Sequence, residues 1–178
     1  LFSAEPMTIH NEKCWLTVMV DVTKQKQAER EIQRANALLN SIVENIPNMI
    51  FLKDAGELRF TRFNRAGEEL LGHSRDDLLG KNDYDFFPKE QADFFTQKDR
   101  EVLRRKVIVD IQEEPLQTRD RGERILHTKK VPILNANGEP EYLMGISEDI
   151  TDRKSSIDRM RKALGGTVQA IVSIVESK

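Results

Sequence analysis

Residues 124–151 read RILHTKKVPILNANGEPEYLMGISEDIT. The first part, Arg124 to Leu134, is rich in β-branched and aliphatic residues and reads as a long strand. Asn137-Gly138 tolerates the positive φ angles of a tight hairpin, and Glu141 to Ile150 is the returning strand. The stretch ends in Asp149-Ile150-Thr151, and charged residues follow from Asp152. Short polar side chains at such a point satisfy the free amide groups that open a helix. The expected unit is an antiparallel pair running directly into a helix. Its junction fixes the helix direction relative to the sheet, which makes Asp149 and Thr151 candidates for signal coupling.

Working back from this stretch, Asp120-Arg121-Gly122 is a turn, and Val107 to Thr118 alternates around Val107, Val109 and Ile111 as a third strand. Phe86-Phe87-Pro88 leads into a helix from Lys89 to Arg105, with Ala92, Phe95, Asp99, Val102 and Leu103 on one face. Asn64 and Ser74 cap two short helices that stop at Gly72 and Gly80. Met49 to Lys53 and Leu58 to Phe63 form a hairpin around Ala55-Gly56-Glu57. Two strands, short helices, then three antiparallel strands give an α+β domain with a five-stranded sheet.

The flanks are helical. From Lys24 to Ile46 the apolar residues Ala28, Ile32, Ala35, Leu39, Ile42 and Ile46 follow a heptad spacing, and Pro47 ends the helix. Such a seam needs a partner, either the same helix of a second chain or the domain's own sheet. A homodimer built on Ile32, Leu39 and Ile42 is the favoured arrangement. Asp21-Val22-Thr23 repeats Asp149-Ile150-Thr151 at a distance of 128 residues, again after a strand (Trp15 to Val20) and before a charged helix. This divides the chain into the tail of an upstream copy (1–23), a linker helix (24–46), one whole domain (47–152) and an exit helix (153–178). In the exit helix Gly165-Gly166 is expected to interrupt a pattern that resumes with Val168, Ile171, Val172 and Val175. A chain opening at Leu1 reads as a segment of a longer protein.

Composition narrows the function. A net charge of −2 offers no field to attract nucleic acid or an anionic membrane. The longest apolar runs are too short to span a bilayer. A single cysteine, Cys14, rules out an internal disulfide and a cysteine-built metal site, and fits a cytoplasmic protein. No phosphate loop, His-Glu-x-x-His or Gly-x-Ser-x-Gly occurs, and the adjacent acids Asp76-Asp77 and Glu113-Glu114 read as solvated charge. No catalytic or metal-ligating residue is assigned, and the segment is not expected to be an enzyme.

An ordered set of stretches resembles the PAS sensor family. It comprises Asn45-Ile46-Pro47, Phe63-Asn64-Arg65-Ala66 with Leu71-Gly72, residues 79–88 (LGKNDYDFFP), Thr128 to Ile133, and Gly145-Ile146-Ser147 with Asp149-Ile150-Thr151. The resemblance implies a sheet of strand order 2-1-5-4-3 cupping short helices around a small pocket. It also implies a sensory or dimerising role. Seven of the eight phenylalanines lie from Phe51 to Phe95, either as core filling or as pocket walls. Candidate ligand-pocket residues are Phe51, Phe63, Phe86, Phe95, His127 and Lys129. Lys129 and Lys130 can present only one cation to a pocket anion, because one of an adjacent pair must point outward on a strand.

The cofactor is unknown. The family's flavin photoreceptors carry a reactive cysteine where this chain has Gly80-Lys81-Asn82-Asp83, which disfavours a flavin photoadduct. The helix Lys89 to Arg105 has no histidine, which disfavours His-ligated haem b. His73 is expected to be exposed after Gly72. The last dozen residues resemble the opening helix of HD-GYP domains, phosphodiesterases of cyclic di-GMP. A histidine kinase output is the rival, although its His-Glu-x-x-x-Pro box is not in this chain. Two functions stand: a sensor whose small-molecule ligand shifts the flanking helices, or an unliganded dimerisation spacer relaying signals from the upstream copy.

Overall fold

The computed structural model describes the backbone of residues 2–10 and 12–176, and side chains other than those of Phe2, Ile9, Leu16, Val18 and positions 165 onward. The chain forms two compact units, residues 1–42 and 43–178.

In the first unit, β1 (Phe2–Ile9) and β2 (Glu12–Met19) form an antiparallel hairpin, so the single predicted strand Trp15 to Val20 is the second arm of a pair. Asp21 Oδ1 accepts from the Thr23 amide at 2.9 Å and opens α1 (Thr23–Asn45). Ile32, Leu39 and Ile42 of the heptad seam are 62%, 59% and 49% exposed, and no residue of α1 is buried.

The second unit holds the five-stranded antiparallel sheet, in the order β4-β3-β7-β6-β5, which is 2-1-5-4-3 counted within the domain. Its strands are β3 (Met49–Asp54), β4 (Phe60–Phe63), β5 (Val109–Gln117), β6 (Glu123–Leu134) and β7 (Pro140–Asp149). Between β4 and β5 lie α2 (Arg65–Leu71), α3 (Arg75–Leu78), a 3-10 turn (Asp83–Asp85) and α4 (Lys89–Arg105). The buried residues of α4 are Ala92, Phe95, Asp99, Val102 and Leu103, the face its spacing predicts.

Three local expectations change. Leu58 is not in a strand: it sits in the β3–β4 turn with φ 57°, its side chain packed with Val102, Leu103 and Leu143. The strain is tolerable because burying a leucine contributes about 1.5–3 kcal/mol, against about 1–3 kcal/mol for the left-handed backbone. Val107 precedes β5 and is exposed. The exit helix α5 (Thr151–Glu176) runs through Gly165-Gly166 without a break. Glycine weakens a helix but keeps its amide donor, unlike proline. The side chains of Val168, Ile171, Val172 and Val175 lie outside the described residues. No described helix is long and apolar enough to cross a membrane.

Asn64 ties the domain together from a fully buried position. Its Oδ1 accepts from the Ile50 and Gly67 amides, at 2.9 and 3.1 Å. Its Nδ2 donates to the carbonyls of Val43 and Asn48, at 3.0 and 2.9 Å. One side chain thus caps α2, closes the start of β3 and holds the last turn of α1. Glu44 adds a second link, accepting from Arg75 Nη2 at 2.8 Å and from the Arg65 amide at 3.1 Å.

Candidate functional site

The inner face of the sheet carries Met49, Phe51 and Lys53 from β3, Leu126, Thr128 and Lys130 from β6, and Leu143, Gly145 and Ser147 from β7. Phe51, Phe60 and Phe63 pack ring to ring, with centroids 5.1–5.8 Å apart. Gly145 makes this possible, because a Cβ there would lie 2.1–2.7 Å from the Phe51 ring. A cavity of about 30 Å3 remains, walled by these rings with Phe87, Phe95, Leu116 and Leu126.

Among these rings lies a buried charge cluster to which five elements each contribute one group. Lys53 Nζ donates to Asp83 Oδ2 at 2.6 Å and to Asp99 Oδ2 at 2.7 Å. Lys130 Nζ donates to Asp99 Oδ1 at 2.6 Å. Glu114 Oε1 stands 3.7 Å from Lys130 Nζ, beyond hydrogen-bond reach. All five side chains are 5% exposed or less. Ions this deep persist only when paired. Lys53 Nζ also lies 4.8 Å from the Phe60 ring centroid and Lys130 Nζ 5.5 Å from that of Phe95, so the rings face cations.

The charges bias one another. Burial presses the Lys53 ammonium toward losing its proton, but Asp99 and Asp83 outweigh this and its pKa ends above the ordinary lysine value. Burial likewise pushes Asp99 up, yet Lys53 and Lys130 reverse the effect and hold it below the usual carboxylate range. For Asp83 burial prevails over the attraction of Lys53, and its pKa is raised. Of the two, Asp83 is therefore the carboxyl that protonates more readily.

The predicted site residues separate. Phe51, Phe63 and Phe95 line the cavity. Phe86 does not: it is half-buried beside His73, with ring centroids 5.0 Å apart, and Phe87 takes the wall. His73 is thus packed on Phe86 rather than free in solvent. His127 and Lys129 fall on the outer face of β6, where His127 Nε2 bonds Asp110 Oδ1 at 2.6 Å and Lys129 is exposed. Lys130 is the pocket lysine. The strand period of two decides this, since Leu126, Thr128 and Lys130 share one side.

Glu113-Glu114 is the larger revision. Between Ile111 and Glu114 the register of β5 against β6 shifts, with Gln112 and Glu113 opposite His127 alone. The bulge turns Glu114 inward to the charge cluster and leaves Glu113 outside. Glu113 Oε2 there accepts from Lys154 Nζ of α5 at 2.5 Å. Two adjacent acids thus touch the pocket and the exit helix. At the same end, Asp149 Oδ1 accepts from the Thr151 amide at 3.0 Å and from Thr151 Oγ1 at 2.5 Å. Thr151 Oγ1 in turn accepts from the Ile125 amide of β6 at 2.9 Å. The first turn of α5 is fastened to β5, β6 and β7.

A family model described as the PAS fold matches residues 43–155. The PAS domain of an HTR-like protein from Haloarcula marismortui superposes with a TM-score of 0.56 at 20% identity, over 70% of this chain and 99% of that one. An RNA-binding light-oxygen-voltage receptor gives 0.58 at 16% identity, over 74% of this chain and 38% of its own. VqmA bound to DPO gives 0.56 at 25% identity, over 64% of this chain and 56% of its own. The chain thus spans well under two thirds of the length of the receptor and of VqmA. No curated protein matches.

Proposed function

The chain belongs to the PAS family, and on that premise we propose that it is a sensory relay segment of a multidomain signalling protein. In this reading the state of the pocket sets the attachment of α5, and α5 carries that state to an output module. The observation that carries the proposal is the β5 bulge, where Glu114 faces the charge cluster and Glu113 holds Lys154. A ligand that moves Glu114 moves the bulge, and the bulge is half of the Glu113–Lys154 bond. The coupling requires an exit helix with two attachments of similar free energy, not a reaction. VqmA, described as bound to DPO, supports a small-molecule input.

The flanks extend the reading. The β1–β2 hairpin with its Asp21–Thr23 cap repeats the β6–β7–Asp149–Thr151 junction. Trp15 and Met19 are 70% and 80% exposed on it. A lone hairpin is marginal in water, so these residues form the end of an upstream PAS copy. The exposed seam of α1 pairs with a second chain, and the output after α5 is an HD-GYP phosphodiesterase. One observation favours a spacer instead: the cavity of about 30 Å3 is far below the ~300 Å3 at which ordinary ligand pockets begin. Native mass spectrometry of the purified protein separates the two. A small mass carried on each chain supports the sensor, and a bare mass in every preparation supports the spacer. The seam is tested by Ile32→Asp with Leu39→Asp, which should lower the mass measured by light scattering. An unchanged mass removes α1 as the dimer contact.

A further inference from the structure

Glu114 is the one member of the charge cluster without a hydrogen bond at its inward oxygen. Its side chain is 5% exposed, and Oε1 has no hydrogen-bond partner among the described residues. Lys130, the nearest cation, donates to Asp99 at 2.6 Å and stands 3.7 Å from Glu114 Oε1, too far for a hydrogen bond. The cluster holds three carboxylates, Asp83, Asp99 and Glu114, against the two ammonium groups of Lys53 and Lys130. An acceptor this deep costs free energy until a donor meets it. Around it stand Phe51, Phe60, Phe63, Phe87 and Phe95, whose ring faces attract positive charge.

We infer that this pocket takes a small planar nitrogen base in its cationic form, of the amidinium or aminoazolium class, whose N–H groups donate to Glu114. Each property answers one feature of the site. The positive charge balances the third carboxylate. Paired N–H donors suit a carboxylate edge. A flat ring fits between phenylalanine faces. A cavity of about 30 Å3, where roughly 10–15 Å3 accommodates one water, holds the equivalent of about two or three waters and so limits the ligand to a single small ring. Half-buried Phe87, which precedes α4, is the wall nearest solvent. An anion would meet the Glu114 carboxylate at an oxygen that already lacks a donor. No group of His, Cys, Asp and Glu among the described residues is arranged to hold a metal ion. The inference rests on the sensory reading above and names its ligand class.

The probe is 2-aminoimidazole, a cation at neutral pH, followed by protein-detected NMR titration of the whole chain. The uncharged 2-methylthiazole, similar in shape but lacking N–H donors, is the control. Saturable shifts with 2-aminoimidazole are expected, with contacts from probe protons to Phe51, Phe95 and Leu116. Affinity for the control should be at least about 10-fold weaker. Glu114→Gln keeps the size of the side chain and should weaken the probe roughly 10- to 100-fold, the equivalent of one charge-assisted hydrogen bond. Should that variant not fold, the probe contacts in the unaltered chain decide. Equal binding of both compounds, or probe contacts outside these residues, overturns the ligand class and leaves the relay intact. No saturable binding of 2-aminoimidazole also overturns the inference. The relay itself fails on a different result, an α5 attachment that ignores changes in the pocket.

Discussion

Asp99 is where the charge cluster is most exposed to a single substitution. Its two oxygens receive the bonds from Lys53 and Lys130, at 2.7 and 2.6 Å, and its side chain is fully buried. Asp99→Asn keeps the volume and removes the charge. One lysine can still donate to the remaining carbonyl oxygen, while the other faces an amide that also donates. Removing one partner of a buried ion pair typically costs about 3–5 kcal/mol, because the remaining charge is left uncompensated. For a domain of this size that corresponds to a fall of roughly 10–20 °C in melting temperature. Glu101→Gln on the same helix is the control. Glu101 pairs with Lys98 and Arg105 at the surface, at 3.4 and 2.9 Å, so its loss should cost under about 1 kcal/mol. Urea unfolding followed by circular dichroism gives both values. A double-mutant cycle with Lys130→Met should return a coupling of about 1–3 kcal/mol. If Asp99→Asn costs no more than Glu101→Gln and the coupling is nil, the reasoning about a buried charge network is wrong.

Gly145→Ala places a methyl group within 2.1–2.7 Å of the Phe51 ring, so the ring must shift toward the cavity. A loss of about 1–3 kcal/mol and altered Phe51 ring resonances are expected. Asn64→Ala removes a helix cap together with three further hydrogen bonds, one buried and two partly buried, and should cost at least about 2 kcal/mol in chemical unfolding. With pH, the raised pKa of Lys53 means the unfolded chain releases that proton first. Its contribution is complete below the ordinary lysine range and is lost as pH rises through the folded value. Urea midpoints from about pH 9 to about pH 12 should therefore fall more steeply in the unaltered chain than in Lys53→Gln. Parallel slopes would place the Lys53 charge outside the network.

The sheet was readable because its signals are local. Turn residues mark each hairpin, and the caps Asn64 and Ser74 mark α2 and α3. The buried face of α4 was equally plain, Asp99 included, since helical spacing groups residues whatever their polarity. The pocket was harder to read for two reasons. The outer face of the sheet is also largely apolar, with Leu52, Val131, Ile133, Met144 and Ile146 half-buried there. Hydrophobic alternation therefore gave no phase for β6, and Lys129 stood in for Lys130. The strand period does place Lys53, two residues on from Phe51, on the same inner face. Glu114 was hidden more deeply. Alternation from Val109 and Ile111 puts Glu113 inside, and only the bulge after Ile111, a feature of pairing between strands, exchanges the two acids.

In the proposed relay, pocket charge governs the hold of the sheet on α5. The direct measurement is hydrogen exchange at the first turn of α5 in Lys130→Met and Lys129→Met. The first substitution removes the cation beside Glu114 and Asp99, and the second alters the neighbouring residue on the outer face. Leu103→Ala, in the separate cluster with Leu58, Val102 and Leu143, serves as a destabilised reference, its expected cost of about 2–5 kcal/mol overlapping that of a broken buried ion pair. Faster exchange at the Lys154 amide, which donates to the Ile150 carbonyl at 2.9 Å, is predicted for Lys130→Met alone. Exchange there that is the same in Lys130→Met as in Lys129→Met and Leu103→Ala would contradict the claim.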